Sequence, residues 1–123
     1  MKHVLIVDDA ATVRHYHRQV LEAAGYRVTD AANGLEGLEK ALLHAPDLVL
    51  ADVNMPRMDG YSLLAALRAE PALAATPVII ITTEALARHE RQAAEHGANL
   101  CLLKPVAPEA LSMYADLLTG GQA

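Results

Sequence analysis

The stretch Leu48-Val49-Leu50-Ala51-Asp52-Val53-Asn54-Met55-Pro56-Arg57-Met58-Asp59-Gly60 begins as a short apolar run and stops at a carboxylate. Such a run predicts a strand buried on both faces. Asn54, Pro56, Asp59 and Gly60 then favour a loop. A buried strand thus delivers one acid, Asp52, to its own C-terminal end. In open α/β sheets that edge is where ligands bind. A lone acid there is usually only a helix cap or a turn former. Here other strands end the same way. Val4-Leu5-Ile6-Val7 runs into Asp8-Asp9, Val78-Ile79-Ile80-Ile81 into Thr82-Thr83, and Leu100-Cys101-Leu102-Leu103 into Lys104-Pro105. If the strands are parallel, three acids, a hydroxyl and an amine share one cleft.

The flanking segments support a parallel sheet. Residues 3–8 predict the first strand. Asp9 or Thr12 could cap the helix after it, whose apolar positions Val13, Val20, Leu21 and Ala24 recur at helical spacing and which Gly25 is placed to end. Tyr26-Arg27-Val28-Thr29 alternates, as a half-exposed edge strand does. Asn33-Gly34 marks a turn, Leu35, Leu38, Leu42 and Leu43 line one face of a second helix, and Ala45-Pro46 closes it. A third helix is expected over Gly60–Ala69, a loop from Pro71 to Pro77, and a fourth strand over Val78–Ile81. A fourth helix follows over Glu84–His96, stopped by Gly97, with Arg88, Arg91 and Glu95 outward. Leu100–Leu103 is the fifth strand. Pro108 suits the first turn of a fifth helix reaching about Leu118. Strands alternating with helices imply a doubly wound, mostly parallel α/β sheet. Residues 1–119 are expected to form one domain and 120–123 a short polar tail.

Composition narrows the function classes. The chain has 123 residues, enough for one domain with a real core, and 53% are hydrophobic, which argues against disorder. A net charge of −5 disfavours direct nucleic-acid binding, which rests on basic surface. With no Phe or Trp and four Tyr, base-stacking platforms are scarce. The apolar runs are too short to span a bilayer, so no membrane insertion is expected, and the N-terminus does not read as a signal peptide. One cysteine, Cys101, excludes an internal disulfide and fits a reducing, cytoplasmic setting.

Clustered carboxylates repel one another unless a cation neutralises them. Asp8, Asp9 and Asp52, with a backbone carbonyl from the following loop, suit a hard ion such as Mg²⁺. The six histidines have no zinc spacing. His15, His17, His89 and His96 read as surface or partly packed residues. A carboxylate beside Mg²⁺ and a lysine can accept a phosphoryl group as an acyl phosphate. Lys104 would offset charge on the transferred oxygens, and Thr82 would donate a hydrogen bond to one of them.

These motifs together resemble the receiver domain of two-component response regulators, most closely the single-domain chemotaxis type. The resemblance runs from about His3 to Leu118. It rests on Val7-Asp8-Asp9, on Asp52-Val53-Asn54-Met55-Pro56 with Met58-Asp59-Gly60, on Ile81-Thr82-Thr83-Glu84-Ala85 and on Leu103-Lys104-Pro105. It implies a flavodoxin-like five-stranded sheet of order 2-1-3-4-5 flanked by five helices. It makes Asp52 the phosphoacceptor. Asp9, Asp52 and the main-chain carbonyl of Asn54 would hold Mg²⁺, and Asp8 would act mainly through water. Thr82 becomes the switch hydroxyl and Lys104 its partner at the phosphoryl group, with a cis Lys104-Pro105 bond. The implied donor is a sensor histidine kinase or phosphotransfer protein, and the implied reading surface for a downstream protein is helix four, strand five and helix five. Asn54 and Glu84 form the chemotaxis-type pair tied to a short-lived acyl phosphate.

This chain also departs from the family pattern. Cys101 stands where Tyr or Phe usually serves as a rotameric switch, Val106 where Phe often follows Lys-Pro, and Thr83 where Ala is common. Cysteine has no ring to swing, so signalling is expected to use the Thr82–Thr83 loop and helix four. Cys101 itself reads as a small buried hydrophobe. The implied role is a phosphorylation-switched binding module, catalysing only its own phosphorylation and slow autodephosphorylation. It would act by docking, by passing phosphate onward or within a larger assembly. Two alternatives stand beside it. A Mg²⁺-dependent aspartyl-nucleophile phosphatase would commonly carry a second acid where Asn54 stands. A receiver fold used only as an unphosphorylated scaffold would have no need of the intact Asp8, Asp9, Asp52, Thr82 and Lys104.

Overall fold

The computed structural model describes residues 1–83 and 86–120. Its elements are β1 (His3–Val7), α1 (Ala11–Ala23), β2 (Arg27–Ala31), α2 (Gly34–His44), β3 (Leu48–Asp52), α3 (Gly60–Ala69), β4 (Val78–Thr82), α4 (Leu86–Glu95), β5 (Leu100–Leu103) and α5 (Pro108–Thr119). All neighbouring strands pair in parallel, and their order is β2-β1-β3-β4-β5. This is the doubly wound order 2-1-3-4-5 that the resemblance implies.

Strand periodicity divides the core in two. Leu5, Val7, Val49, Ala51, Val78 and Ile80 pack with Ala41, Leu63, Leu64, Leu67 and Ala93 on the α2–α3–α4 side. Val4, Ile6, Leu48, Leu50, Ile79 and Ile81 pack with Leu21, Leu111 and Ala115 on the α1–α5 side. β1, β3 and β4 thus bury alternate residues on opposite faces, which is why each reads as an unbroken apolar run. Fully burying one such leucine contributes roughly 1.5–3 kcal/mol. β2 sits at an edge and is only partly buried, as its alternation predicts.

Several details differ from the sequence expectation. Neither Asp9 nor Thr12 caps α1. Its N-cap is Ala10, which makes no side-chain cap hydrogen bond. The leucines of α2 do not form its inward face. Leu35, Leu42 and Leu43 are exposed, whereas Gly34, Gly37 and Ala41 are buried and Leu38 is partly so. The helix lies so close over β1 that a methyl at Gly37 would come 2.8 Å from Val7 Cγ2. Small residues therefore take the contact face. Of the charged outer face of α4, Arg91 and Glu95 form an exposed i,i+4 ion pair, while the Arg88 side chain lies outside what the structure describes.

α5 is anchored at both ends. The Tyr16 hydroxyl donates to the Val106 carbonyl at 2.8 Å just before it. Near its C-terminus the Tyr26 hydroxyl donates to Asp116 Oδ1 and lies 3.2 Å from Thr119 Oγ1. Helix ends carry unsatisfied backbone groups, and tethers beside them limit fraying. Among the described residues, no helix is long and apolar enough to cross a membrane.

Candidate functional site

β3 ends at Asp52, and the chain turns back at once. Val53 N donates to Asp52 Oδ1 at 2.9 Å, and Gly60 N donates to the Val53 carbonyl at 2.9 Å. A methyl at Gly60 would lie 2.2 Å from the Asp52 carbonyl oxygen. Gly34 makes a similar approach from α2. Its N–H donates to the Met58 carbonyl at 3.1 Å, and a methyl there would lie 2.2 Å from that oxygen. Only glycine tolerates backbone packed this close. Both helices also begin with a side-chain cap, Asp59 accepting from Ser62 N at 2.7 Å and Asn33 accepting from Glu36 N at 2.9 Å. The loop after Asp52 is therefore clasped between two capped helix starts.

The other strands complete the cleft. Asp8, just beyond β1, is 3% exposed and accepts from Ala10 N at 2.9 Å through Oδ1. Arg14 Nη1 donates to the Asp8 main-chain carbonyl at 2.7 Å. Asp9 is exposed. One carboxylate oxygen from each of Asp8, Asp9 and Asp52 lies within 4.8 Å of the others. Lys104, after β5, donates through Nζ to Asp8 Oδ2 at 2.7 Å and pairs with Asp52 Oδ1 at 3.2 Å. Its main-chain N donates to the Thr82 carbonyl at 2.7 Å, and the Lys104-Pro105 bond is cis. Asp52 pairs in register with Ile81, which sets the buried Thr82 one residue beyond, at the same edge. Thr83 follows, exposed, and Asn54 lies exposed in the clasped loop. Glu84 falls outside the described residues. Cys101 is half-buried in β5, packed against the α2–α3–α4 core.

The electrostatics follow from burial and crowding. Burial pushes the Asp52 carboxyl above its ordinary range. Asp8 pushes the same way, Lys104 opposes through its charge and hydrogen bond, and Asp9 adds a smaller upward push. Burial alone would lower Lys104, but the hydrogen bond to Asp8 and the charges of Asp52 and Asp8 hold its ammonium above the usual value. Three carboxylates thus face one ammonium. The donors are all hard oxygens, and Asp9 keeps a side open to water. That set fits Mg²⁺, which takes few carboxylates and retains waters, and lacks the nitrogen and sulfur ligands zinc favours.

Two histidines correct the sequence reading. His17 is 2% exposed and His89 is 7% exposed, so neither is a surface residue. His17 stands four residues after Val13 and four before Leu21, on the inward stripe of α1, and that spacing was the available signal. With Thr12, Val13, Tyr16, Lys104 and Pro105 it lines a pocket of about 300 Å³ beside the acids. Burial lowers its basicity, and Lys104 adds to this against the pull of Asp8.

Residues 4–116 match the family described as the response regulator receiver domain. The chain belongs to that family. Among curated receiver relatives it is 37% identical over 117 residues to a gliding motility regulatory protein of Myxococcus xanthus. That match covers 94% of this chain but 15% of the relative, so the chain spans only a small part of its length. Among solved receivers, the chemotaxis protein CheY4 of Vibrio cholerae is 36% identical, with a TM-score of 0.90 over 96% of this chain and 98% of that one. The receiver domain of sensor histidine kinase PA1611 from Pseudomonas aeruginosa is 28% identical, with a TM-score of 0.90 over 98% of each chain. That structure has a magnesium ion coordinated in its active site cleft.

Proposed function

We propose that this receiver takes a phosphoryl group onto Asp52 and that the acyl phosphate switches binding to a protein partner. One observation carries the reading. The buried Asp52 carboxylate is 3.2 Å from Lys104 Nζ and sits among two further carboxylates at the C-terminal edge of the sheet. An Asp52 oxygen attacks phosphorus in line as the bond to the donor breaks. For a phosphohistidine donor the leaving electron pair stays on the imidazole nitrogen. For a small acyl phosphate it stays on the carboxylate.

Asp9, Asp52 and the Asn54 carbonyl are the groups that would hold Mg²⁺, with Asp8 acting mainly through water, and the ion when bound neutralises charge on the phosphoryl oxygens. Lys104 exchanges its contact with Asp52 for one to a phosphoryl oxygen while Asp8 keeps it oriented. Thr82 donates its hydroxyl to another. Hydrolysis reverses the state when water attacks phosphorus, releasing phosphate and the Asp52 carboxylate. Asn54 and Glu84 would position that water and keep the lifetime short. A sensor kinase or phosphotransfer protein is the donor, and the α4–β5–α5 face is the surface read by the target. The chain catalyses only its own phosphorylation and dephosphorylation.

The test is labelling with acetyl phosphate, read by intact mass. Wild type with Mg²⁺ should gain one phosphoryl group. Asp52→Asn, or wild type with the metal chelated, should not. A half-life of many hours would overturn the proposed role of Asn54 and Glu84. Sustained turnover of phosphomonoesters would favour a phosphatase instead.

A further inference from the structure

Of the described side chains of α4, His89 and Ala93 are buried. The helix packs chiefly on β5, and the groove beside them, about 410 Å³, is lined by Ala93, Ala94 and Ala98 on one side and by Leu100, Cys101 and Tyr114 on the other. Polar ties join the helix to α3. Arg68 donates from Nε at 3.1 Å and Nη2 at 2.8 Å to the Gly97 carbonyl, and from Nη2 at 3.2 Å to Asn99 Oδ1. Its Nη1 also donates to the Thr76 carbonyl at 2.7 Å. This network pins the C-terminal end of α4. Nearer the acids, the Tyr61 hydroxyl is hydrogen-bonded to His89 Nδ1, with the two rings stacked at 23° and 6.0 Å between centroids. The Tyr61 ring also packs on His96 at 5.3 Å.

The two ends of this tie lie close in sequence to the site. Tyr61 follows Gly60, which lies so close to the Asp52 carbonyl that a methyl there would overlap it. His89 sits one turn into α4, a few residues after Thr82. We infer that the Tyr61–His89 hydrogen bond is a latch that holds α4 on α3 while Asp52 is unmodified, with the Arg68–Gly97 contact as its pivot. Drawing Thr82 toward a phosphoryl group opens the latch, so the helix swings without an aromatic at position 101. This inference rests on Asp52 being the phosphoacceptor.

Beryllofluoride with Mg²⁺, a phosphoryl mimic, tests it on the full chain, together with amide hydrogen exchange. Breaking the latch removes part of the cost of reaching the loaded state. Tyr61→Phe should therefore bind the mimic more tightly, about five-fold for one hydrogen bond of ordinary net strength. It should also exchange α4 amides faster with β1 and β3 unchanged. His89→Leu should act alike, and the double variant should add nothing, because both remove the same bond. Should Tyr61→Phe also loosen β1 and β3, His89→Ala carries the same expectation from the other side. Equal or weaker mimic binding in these variants, or an additive double variant, overturns the latch. If wild type takes no mimic, the phosphoacceptor reading falls and the latch with it.

Discussion

The loop after β3 and the helix after β4 both follow strands that end at the cleft, yet they are held in different ways. The loop is fixed by backbone pressed on backbone, with Gly60 on the Asp52 carbonyl and Gly34 on the Met58 carbonyl. α4 is fixed by side-chain tips, Arg68 on Gly97 and Tyr61 on His89. Close backbone packing resists displacement, because any shift creates overlap or a void. Side-chain hydrogen bonds exchange partners at modest net cost. Asp52, the proposed phosphoacceptor, is therefore held rigidly, and α4, the helix proposed to move, is held by bonds that can be exchanged.

The largest test of this contrast is Gly60→Ala. Its methyl would need the Asp52 carbonyl to move, so the loss of stability should be on the order of 3 kcal/mol or more, seen in urea unfolding, together with lost acetyl-phosphate labelling. Gly34→Ala should slow labelling even where the fold survives, because Met58 must give way. An unchanged labelling rate there would break the claim that the loop is clasped. Arg68→Ala should cost less, about 1–2 kcal/mol, and should speed hydrogen exchange around Gly97 while Asp52 still labels at the wild-type rate. Smallest is Arg91→Ala, which removes an exposed pair and should shift stability by about 0.5 kcal/mol or less.

Acidity sharpens the comparison from a third place, the opposite edge of the sheet. His3 is buried there, bonded through Nε2 to Thr29 Oγ1 at 2.9 Å, with Nδ1 buried and unpartnered. Burial, then Arg27 and His44, lower its basicity against the pull of Asp47. The folded chain therefore keeps His3 neutral where the unfolded chain takes up a proton. Stability should fall as pH drops through 6.5, the ordinary histidine value, and level off once His3 protonates in the fold. His17 shifts in the same direction, so His3→Gln should flatten the slope of urea midpoint against pH without abolishing it. An unchanged slope would count against a buried neutral His3.

The acid cleft was legible in the sequence because β1, β3 and β4, buried on both faces, are unbroken apolar runs whose ends show where Asp8, Asp52 and Thr82 emerge, and Lys104 follows the apolar run of the edge strand β5. The helices were less so. Helical spacing revealed the leucines of α2 but not that its glycine side docks, since that depends on how near β1 lies. The charged residues of α4 made His89 look solvated, whereas it turns inward to Tyr61, and nothing in a single chain marks two such distant residues as partners. The cap of α1 escaped because Asp8, which looked only like a site residue, also accepts from Ala10 N and fixes that turn.

The tether from Tyr26 to Asp116 and Thr119 has a practical consequence. Tyr26 immediately precedes β2, so α5 finishes at the N-terminal rim of the parallel sheet, the width of the domain away from Asp52. A fluorescent protein or affinity handle spliced on after Thr119 would therefore begin on the rear side of the molecule. The cleft around Asp52 would be left clear.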